Sequence, residues 1–283
     1  MTDLAVIMSV YKNDRLAYLK ESVQSILDQT YRNFHYFLVF DGPVEPDIEE
    51  YVASLPDKRI KLFSLNENGG LAFALNYLLG IVLKNPDYKF IARMDADDIS
   101  MPVRFEKQRE FLIANPEVSV VGCCYEEIDE VGNHLSYRRL PIEHEALRKR
   151  YFTKTPFAHS SVIYKRELIE KVGFYPTDTI LMEDNVLWGM ALKAGLKFNN
   201  IPEYLLKFRK DKDFYKRRSG LKYGWNFIKT RFKLNRSLKF PVYTYIFSFL
   251  IGLIKMIPSF LIRHIYILSI KFKDGVSSSK FKA

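Results

Sequence analysis

The stretch Arg93-Met94-Asp95-Ala96-Asp97-Asp98-Ile99-Ser100-Met101-Pro102 places three carboxylates within four residues, directly after the apolar run from Tyr88 to Ala92. Three ionised carboxylates so close together repel one another, which raises their proton affinity unless a hard divalent cation sits among them. Mg²⁺ and Mn²⁺ fit that demand best. Both take one or two protein carboxylates and fill the remaining positions with water and phosphate oxygens, so a diphosphate is the natural companion. The apolar run predicts a buried strand, and Ser100 with Pro102 predicts the cap and first turn of a helix. The carboxylates then stand at the carboxyl end of a strand, where open α/β sheets bind ligands. An acidic turn that merely caps a helix has the same local sequence, so the rest of the chain has to decide.

Upstream, strand and helix patterns alternate. Leu4 to Val10 predicts a strand, and Asp14 to Gln29 carries Leu16, Leu19, Val23, Ile26 and Leu27 at a period of about 3.6 residues. His35 to Phe40 is a second apolar strand, stopped by Asp41-Gly42-Pro43. A weak helix over 46–54, a strand over 59–64, the turn Asn66-Glu67-Asn68-Gly69-Gly70 and a helix from Leu71 to Leu83 follow. Such alternation predicts a parallel sheet covered on both faces, with loops gathered along one edge. Downstream the pattern is less regular, with helices near 101–114 and 143–151 and strands near 118–125 and 160–164. Met182-Glu183-Asp184-Asn185-Val186-Leu187-Trp188 predicts a helix that runs to about Ala194 and ends at Gly195. Its two acids lie at the positive end of the helix dipole, which alone would be ordinary capping chemistry worth under ~1 kcal/mol.

At 283 residues, 48% hydrophobic and 15% aromatic, the chain can bury a globular core in one large or two small domains. Cys123 and Cys124 are adjacent, a spacing that suits neither an ordinary disulfide nor a zinc site and points to a reducing compartment. Met1 to Lys12 lacks a basic leader and a long apolar core, and reads as a buried strand rather than a signal peptide. The net charge of +10 conceals a division: residues 1–204 hold 24 Lys+Arg against 30 Asp+Glu, and residues 205–283 hold 19 against 3. An acidic body joined to a basic, apolar tail points to an anionic membrane surface rather than to nucleic acid.

Read in order, the chain carries Val6-Ile7-Met8-Ser9-Val10-Tyr11, Ser25-Ile26-Leu27-Asp28-Gln29-Thr30, Asp41-Gly42-Pro43, Asn66 to Leu71, and Ala74-Leu75-Asn76. Arg93 to Pro102, Glu183-Asp184 with Trp188, and Pro202-Glu203-Tyr204 with Phe208-Arg209 follow. This ordered set, over about residues 4 to 235, resembles the family 2 glycosyltransferases of GT-A fold, and among them the bacterial enzymes that build capsular and exopolysaccharide repeat units. The resemblance implies an α/β fold with a Rossmann-like, mostly parallel central sheet flanked by helices. It implies a catalytic domain over 1–235, with a nucleotide-sugar half to about 115 and an acceptor half beyond it. The implied reaction is inverting transfer from a nucleotide-diphosphate sugar, expected to be a UDP-sugar, with Mn²⁺ or Mg²⁺ as cofactor. Phe40 is a departure, because many relatives have a second acid there; Asp41 is left for base recognition.

By the same resemblance, the donor is expected to meet Val10, Tyr11, Asp14, Asp41, Asn68, Gly70, Arg93, Asp95, Ala96, Asp97 and Arg209. Tyr11 would stack on the base or else fill core; Arg93 would contact phosphate or else pair with the aspartates. A metal held by Asp97, with Asp95 close by, would neutralise charge as the diphosphate leaves. The acceptor hydroxyl needs a carboxylate on the other face of the sugar, and Asp184 is the expected base with Glu183 as the alternative. His159 and Trp188 are placed on the acceptor side, although a lone histidine more often has a structural role. Arg209 and the run Tyr215-Lys216-Arg217-Arg218 would close over the diphosphate as a basic lid, or the run would be a solvated or lipid-facing charge cluster.

The tail from Lys239 to Lys273 is apolar but interrupted by Lys255, Pro258, Arg263, His264 and Lys271, and its longest uncharged run, Phe240 to Ile254, is 15 residues. That falls short of the ~20 residues needed to span a bilayer. Amphipathic helices over 236–273 lying in the interface are expected, followed by a disordered 274–283, with a packed helical hairpin as the alternative. The expected partners are the nucleotide-sugar donor, a lipid-linked saccharide acceptor and an anionic membrane, on the cytoplasmic inner face of the plasma membrane. A sugar nucleotidyltransferase would place a Gly-rich phosphate loop near the first strand, where Tyr11-Lys12-Asn13-Asp14 stands instead. A non-catalytic membrane-binding protein would not require Asp95, Asp97 and Asp184 together.

Overall fold

The computed structural model describes residues 2–211 and 213–258. Met1–Thr179 with Glu183–Lys210 form one compact unit, and Ile180–Met182 with the chain from Asp211 onward form a second. In the first unit, β1 (Leu4–Val10) is buried along nearly its whole length, as its unbroken apolar run requires of a strand with neighbours on both edges and cover on both faces. It is followed by α1 (Leu16–Leu27), β2 (Phe34–Phe40), α2 (Pro46–Ala53), β3 (Ile60–Ser64), α3 (Leu71–Val82) and β4 (Phe90–Arg93). These four strands are all parallel: β1 lies between β2 and β4, and β3 adds to β2. Val10 pairs with Phe40 and Ile7 with Arg93, so the ends of β1, β2 and β4 bring Tyr11, Asp41 and the 95–98 turn to one edge. Leu19, Val23 and Ile26 of α1 pack with Val6, Met8 and Leu38 in the core beneath that edge.

The second half of this unit is mixed rather than parallel. It comprises β5 (Ile99–Ser100), α4 (Arg104–Ala114), β6 (Val118–Ile128), β7 (His134–Arg138), α5 (His144–Arg150), a 3-10 turn (His159–Ser161), β8 (Ile163–Lys165), α6 (Glu167–Val172), α7 (Glu183–Lys193) and β9 (Lys197–Arg209). The strand order is β3-β2-β1-β4-β8-β6-β9-β5, with β7 also on β6. β6 and β9 run parallel, whereas β8, β7 and β5 are antiparallel to their neighbours.

Two expectations change here. Ser100 and Pro102 do not start a helix: Ile99 and Ser100 pair with Lys207 and Leu206, Met101 donates to the Leu205 carbonyl (3.0 Å), and α4 begins only at Arg104. The strand expected at 160–164 opens as the 3-10 turn, with extended backbone from Ile163. In β9, Pro202 falls between Ile201 and Tyr204, where the register against β6 shifts, a place where a strand tolerates proline.

The second unit holds α8 (Phe214–Arg217), α9 (Leu221–Ser237) and α10 (Tyr243–Met256). Residue 235 lies within α9, so the domain end expected there falls inside a helix. α9 and α10 pack against each other as a hairpin. Gly224 and Gly252 meet at the contact, where an added Cβ on Gly224 would stand 2.7 Å from the Gly252 carbonyl oxygen. α10 buries Thr244, Ser248 and Gly252 and exposes Ile246, Phe247, Phe249, Leu250, Leu253 and Ile254. The expected helix beyond Pro258 and the 274–283 tail lie outside the described residues.

Gly42 turns the chain out of β2 with φ +80°, and an added Cβ would stand 2.6 Å from the Asn68 amide nitrogen. Gly132 also has positive φ (+91°) but open space around it. Gly42→Ala should therefore lower stability by roughly 2–3 kcal/mol, combining backbone strain with the clash, while Gly132→Ala costs about 1 kcal/mol. Urea unfolding of the two variants checks the order, and equal losses would show that the corner has room to shift.

Candidate active site

Arg93 closes β4 with its side chain fully buried, and its guanidinium pairs with Asp95. Burial opposes its charge, and Asp95 beside it more than offsets that, so the group holds its proton more tightly than usual. The 95–98 turn is fastened from several elements. Ser22 of α1 donates to the Asp95 carbonyl (2.7 Å), and Arg209 of β9 donates through Nε to the Asp97 carbonyl (2.9 Å). Asp98 is wholly buried, accepting from the Arg209 amide (2.8 Å) at Oδ1 and from Ser160 at Oδ2. Burial first, then Asp97 and Asp95, push its pKa well above the usual carboxylate range. Carboxylate oxygens of Asp95, Asp97 and Asp98 lie within 4.8 Å of one another, an all-oxygen donor set suited to a hard divalent ion.

The nucleotide side of the edge is built on Asp41, which is 2% exposed. Its Oδ1 accepts from the Gly69 amide (2.8 Å), and its Oδ2 accepts from the Gly70 amide (3.0 Å) and the Asn68 side chain (2.9 Å). In this conformation the carboxylate expected to recognise a base is bound to its own turn, so Asp41 shapes the corner from behind. Gly70 takes φ +84° directly before α3, a conformation open to glycine at no steric cost. Asp14 is likewise local: its carboxylate accepts from the Tyr11 amide (2.9 Å), fixing the exit from β1. Tyr11 is half-buried at that exit, Val10 is fully buried, and Ala96 is buried within the acidic turn.

The start of α7 lies within electrostatic reach of the acidic turn. Glu183 is 8% exposed, and its pKa is pushed up to about 7 by burial and then by Asp184, with Asp95 adding to the shift and Arg93 opposing it. The helix start and the acidic turn therefore share one electrostatic environment. Asp184 is half-buried beside it. The acceptor-side expectations divide. His159 contacts the Tyr175 hydroxyl (2.9 Å), and burial, with Arg93 nearby, pulls its pKa well below the usual histidine range, so it is neutral. Trp188 is fully buried, its ring 5.3 Å from that of Phe157 and 6.1 Å from that of Phe198. An acceptor cannot reach it; it is the residue by which α7 grips the sheet. Arg209 is a second correction, because its buried guanidinium is engaged within the fold rather than facing a diphosphate.

Sequence reasoning missed Arg104, Ser160 and the role of Gln29. Arg104 is buried in α4 and donates to the carbonyls of Ser160 and Arg93 (3.4 Å to the latter), with burial drawing its pKa down to about 10. Gln29 is fully buried, donating to the Met101 carbonyl (2.8 Å) and accepting from the Phe105 amide (3.0 Å), which fixes where the chain leaves the acidic turn. The only hint was polar residues among apolar ones.

Residues 5–173 match the family described as glycosyl transferase family 2. The chain is 31% identical over 236 residues to the amylovoran biosynthesis glycosyltransferase AmsE of Erwinia amylovora, covering 82% of this chain and 84% of that one. It is 29% identical over 265 residues to an Escherichia coli UDP-Gal:alpha-D-GlcNAc-diphosphoundecaprenol beta-1,3-galactosyltransferase, covering 93% and 94%. Its fold is similar to that of S. aureus TarS in complex with UDP-GlcNAc (TM-score 0.60, 16% identity, 83% of this chain and 70% of that one). It is also similar to a Pyrobaculum calidifontis mannosyltransferase in complex with GDP-Man and Mn²⁺ (TM-score 0.58, 18% identity, 87% and 72%). These likenesses identify the architecture as GT-A.

Glu183 makes stability depend on pH in a defined direction. Its folded pKa of about 7 lies above the ordinary 4.5, so between those values the folded protein holds a proton that the unfolded chain has released. Stability due to this group is therefore full below about 4.5 and declines as pH rises to about 7. In metal-free buffer, Glu183→Gln should flatten that part of the stability curve. Urea unfolding from pH 5 to 7.5 tests it, and an unchanged slope would show that Glu183 is not held protonated.

Proposed function

Because the chain belongs to glycosyl transferase family 2 and is a glycosyltransferase, we propose that it is an inverting, metal-dependent enzyme that moves a sugar from a UDP-sugar to a lipid-linked saccharide. The observation that carries this reading is the cluster of Asp95, Asp97 and Asp98 oxygens within 4.8 Å of one another after β4, with Glu183 of α7 in electrostatic reach of Asp95. Asp95 and Asp97 would hold Mn²⁺ or Mg²⁺, since both oxygens of Asp98 already accept hydrogen bonds. Bound there, the cation would neutralise charge developing on the leaving diphosphate. Tyr11, Asn68 and Gly70 would line the nucleotide, with Asp41 behind them. Arg93 pairs with Asp95 and orients its carboxylate.

Asp184 would take the acceptor proton, as the more accessible acid of the pair, and a single displacement then inverts the anomeric centre. Glu183 is the second reading, because a pKa near 7 suits a base working at neutral pH. The capsule, exopolysaccharide or O-antigen setting draws on the relatives, among them an amylovoran enzyme and one whose acceptor is diphosphoundecaprenol-linked.

A lipid-linked acceptor places the enzyme on a membrane, and α10 supports this. Its small and polar residues face α9 while its apolar residues face outward, the reverse of a helix in water and the pattern of helices that pack in lipid. Among the described residues no helix is long and apolar enough to cross a membrane. The helix would lie in the anionic cytoplasmic leaflet of the plasma membrane, aided by the basic residues that surround it.

Incubation with a panel of UDP-sugars, Mn²⁺ and a lipid-linked saccharide should release UDP for one donor; no turnover with any nucleotide sugar would sink the reading. Calorimetry should show UDP binding weakened by EDTA and by Asp97→Asn. Asp184→Asn should keep donor binding and lose transfer by about 10²-fold or more. Greater loss in Glu183→Gln would move the base to Glu183. Phe247→Ser with Leu250→Ser should release the protein from anionic liposomes, and continued flotation of that variant would remove α10 from the membrane contact.

A further inference from the structure

Arg209 occupies the last position of β9, and its contacts converge on the metal turn. Its guanidinium donates to three carbonyls: Nε to Asp97 (2.9 Å), and Nη1 to Asp129 (3.3 Å) and Glu130 (3.1 Å). Nη2 pairs with Glu21 of α1, and the guanidinium lies 4.4 Å from the centre of the Tyr18 ring. Its own amide holds Asp98 Oδ1 (2.8 Å). With 2% of its surface exposed, this side chain would have to break several charge-assisted bonds before it could reach a diphosphate.

We propose that Arg209 is a positioning residue for the cation site: it fixes the backbone at Asp97 and Asp98 so that Asp98 stays inside while Asp95 and Asp97 present their carboxylates. The inference rests on the metal reading given above. An arginine suits the task because its planar fork offers five donors in fixed directions, enough to bind the turn, α1 and the β6–β7 connection at once. Lysine keeps the charge but cannot reproduce the fork. Groups that orient metal ligands in this way typically govern affinity by about 10- to 100-fold.

The test is Mn²⁺ binding to the full chain, read by the loss of the free-ion electron paramagnetic resonance signal, for wild type, Arg209→Lys, Arg209→Gln and Arg109→Gln. Arg109 pairs with Asp3 at the opposite end of β1, so its variant reports loss of an ion pair away from the turn. Arg209→Gln should bind Mn²⁺ about tenfold more weakly or worse, Arg209→Lys should fall between, and Arg109→Gln should lose stability yet bind as wild type does. Wild-type affinity in folded Arg209→Gln overturns the inference alone. A wild type that binds no Mn²⁺ overturns the metal reading and this inference with it. If Arg209→Gln does not fold, Glu21→Ala removes the Nη2 partner from a half-exposed site, and unchanged Mn²⁺ affinity there overturns the role.

Discussion

A carboxylate without solvent contact must find donors inside the protein, and each donor that serves it becomes fixed in turn. Asp98 is such a group, and the first unit is arranged around its two donors. Ser160 is held by Arg104 through its carbonyl, and the Arg209 amide belongs to the end of β9. β9 exists at that position because it runs parallel to β6 and pairs with Ile99 and Ser100 just after the turn. The acidic turn is thus a crossing point tied to both halves of the sheet, which allows Asp95 and Asp97 to remain partly accessible without the turn collapsing.

The same economy of charge explains the far wall of the site. Glu183 lies within electrostatic reach of Asp184, Asp95 and the buried Arg93, while Arg104 and Arg209 are buried beside Asp98 and the turn. Burial first, and then the neighbouring acids, outweigh these cations at Asp98 and Glu183, whose proton affinities are raised. A divalent ion at the turn would relieve that imbalance.

The second unit packs its helices in the opposite sense. Thr244, Ser248 and Gly252 allow α10 to approach α9 closely, and Asn235 donates to the Ser248 hydroxyl (3.2 Å). Close packing through small residues and a polar bond leaves the apolar side chains outside, an arrangement that water disfavours and acyl chains accept.

The sequence by itself determined what short-range pattern can carry: the alternation of β1 to β4 with their helices, the acidic turn at a strand end, the corner that needs Gly42, and the acids at the start of α7. Each follows from periodicity, glycine conformation or charge density within a few residues. Only the tertiary structure decided the rest. Ile99 and Ser100 became a strand because β9 offered partners more than a hundred residues away. Trp188 turned inward because α7 had to bury a face against Phe157 and Phe198, while Arg209 and Asp41 spent their polar atoms on neighbouring backbone. Which way α10 faces was likewise undecided until α9 was in place. Charged and aromatic side chains look alike in sequence whether they meet a ligand or the fold, and only long-range packing distinguishes the two.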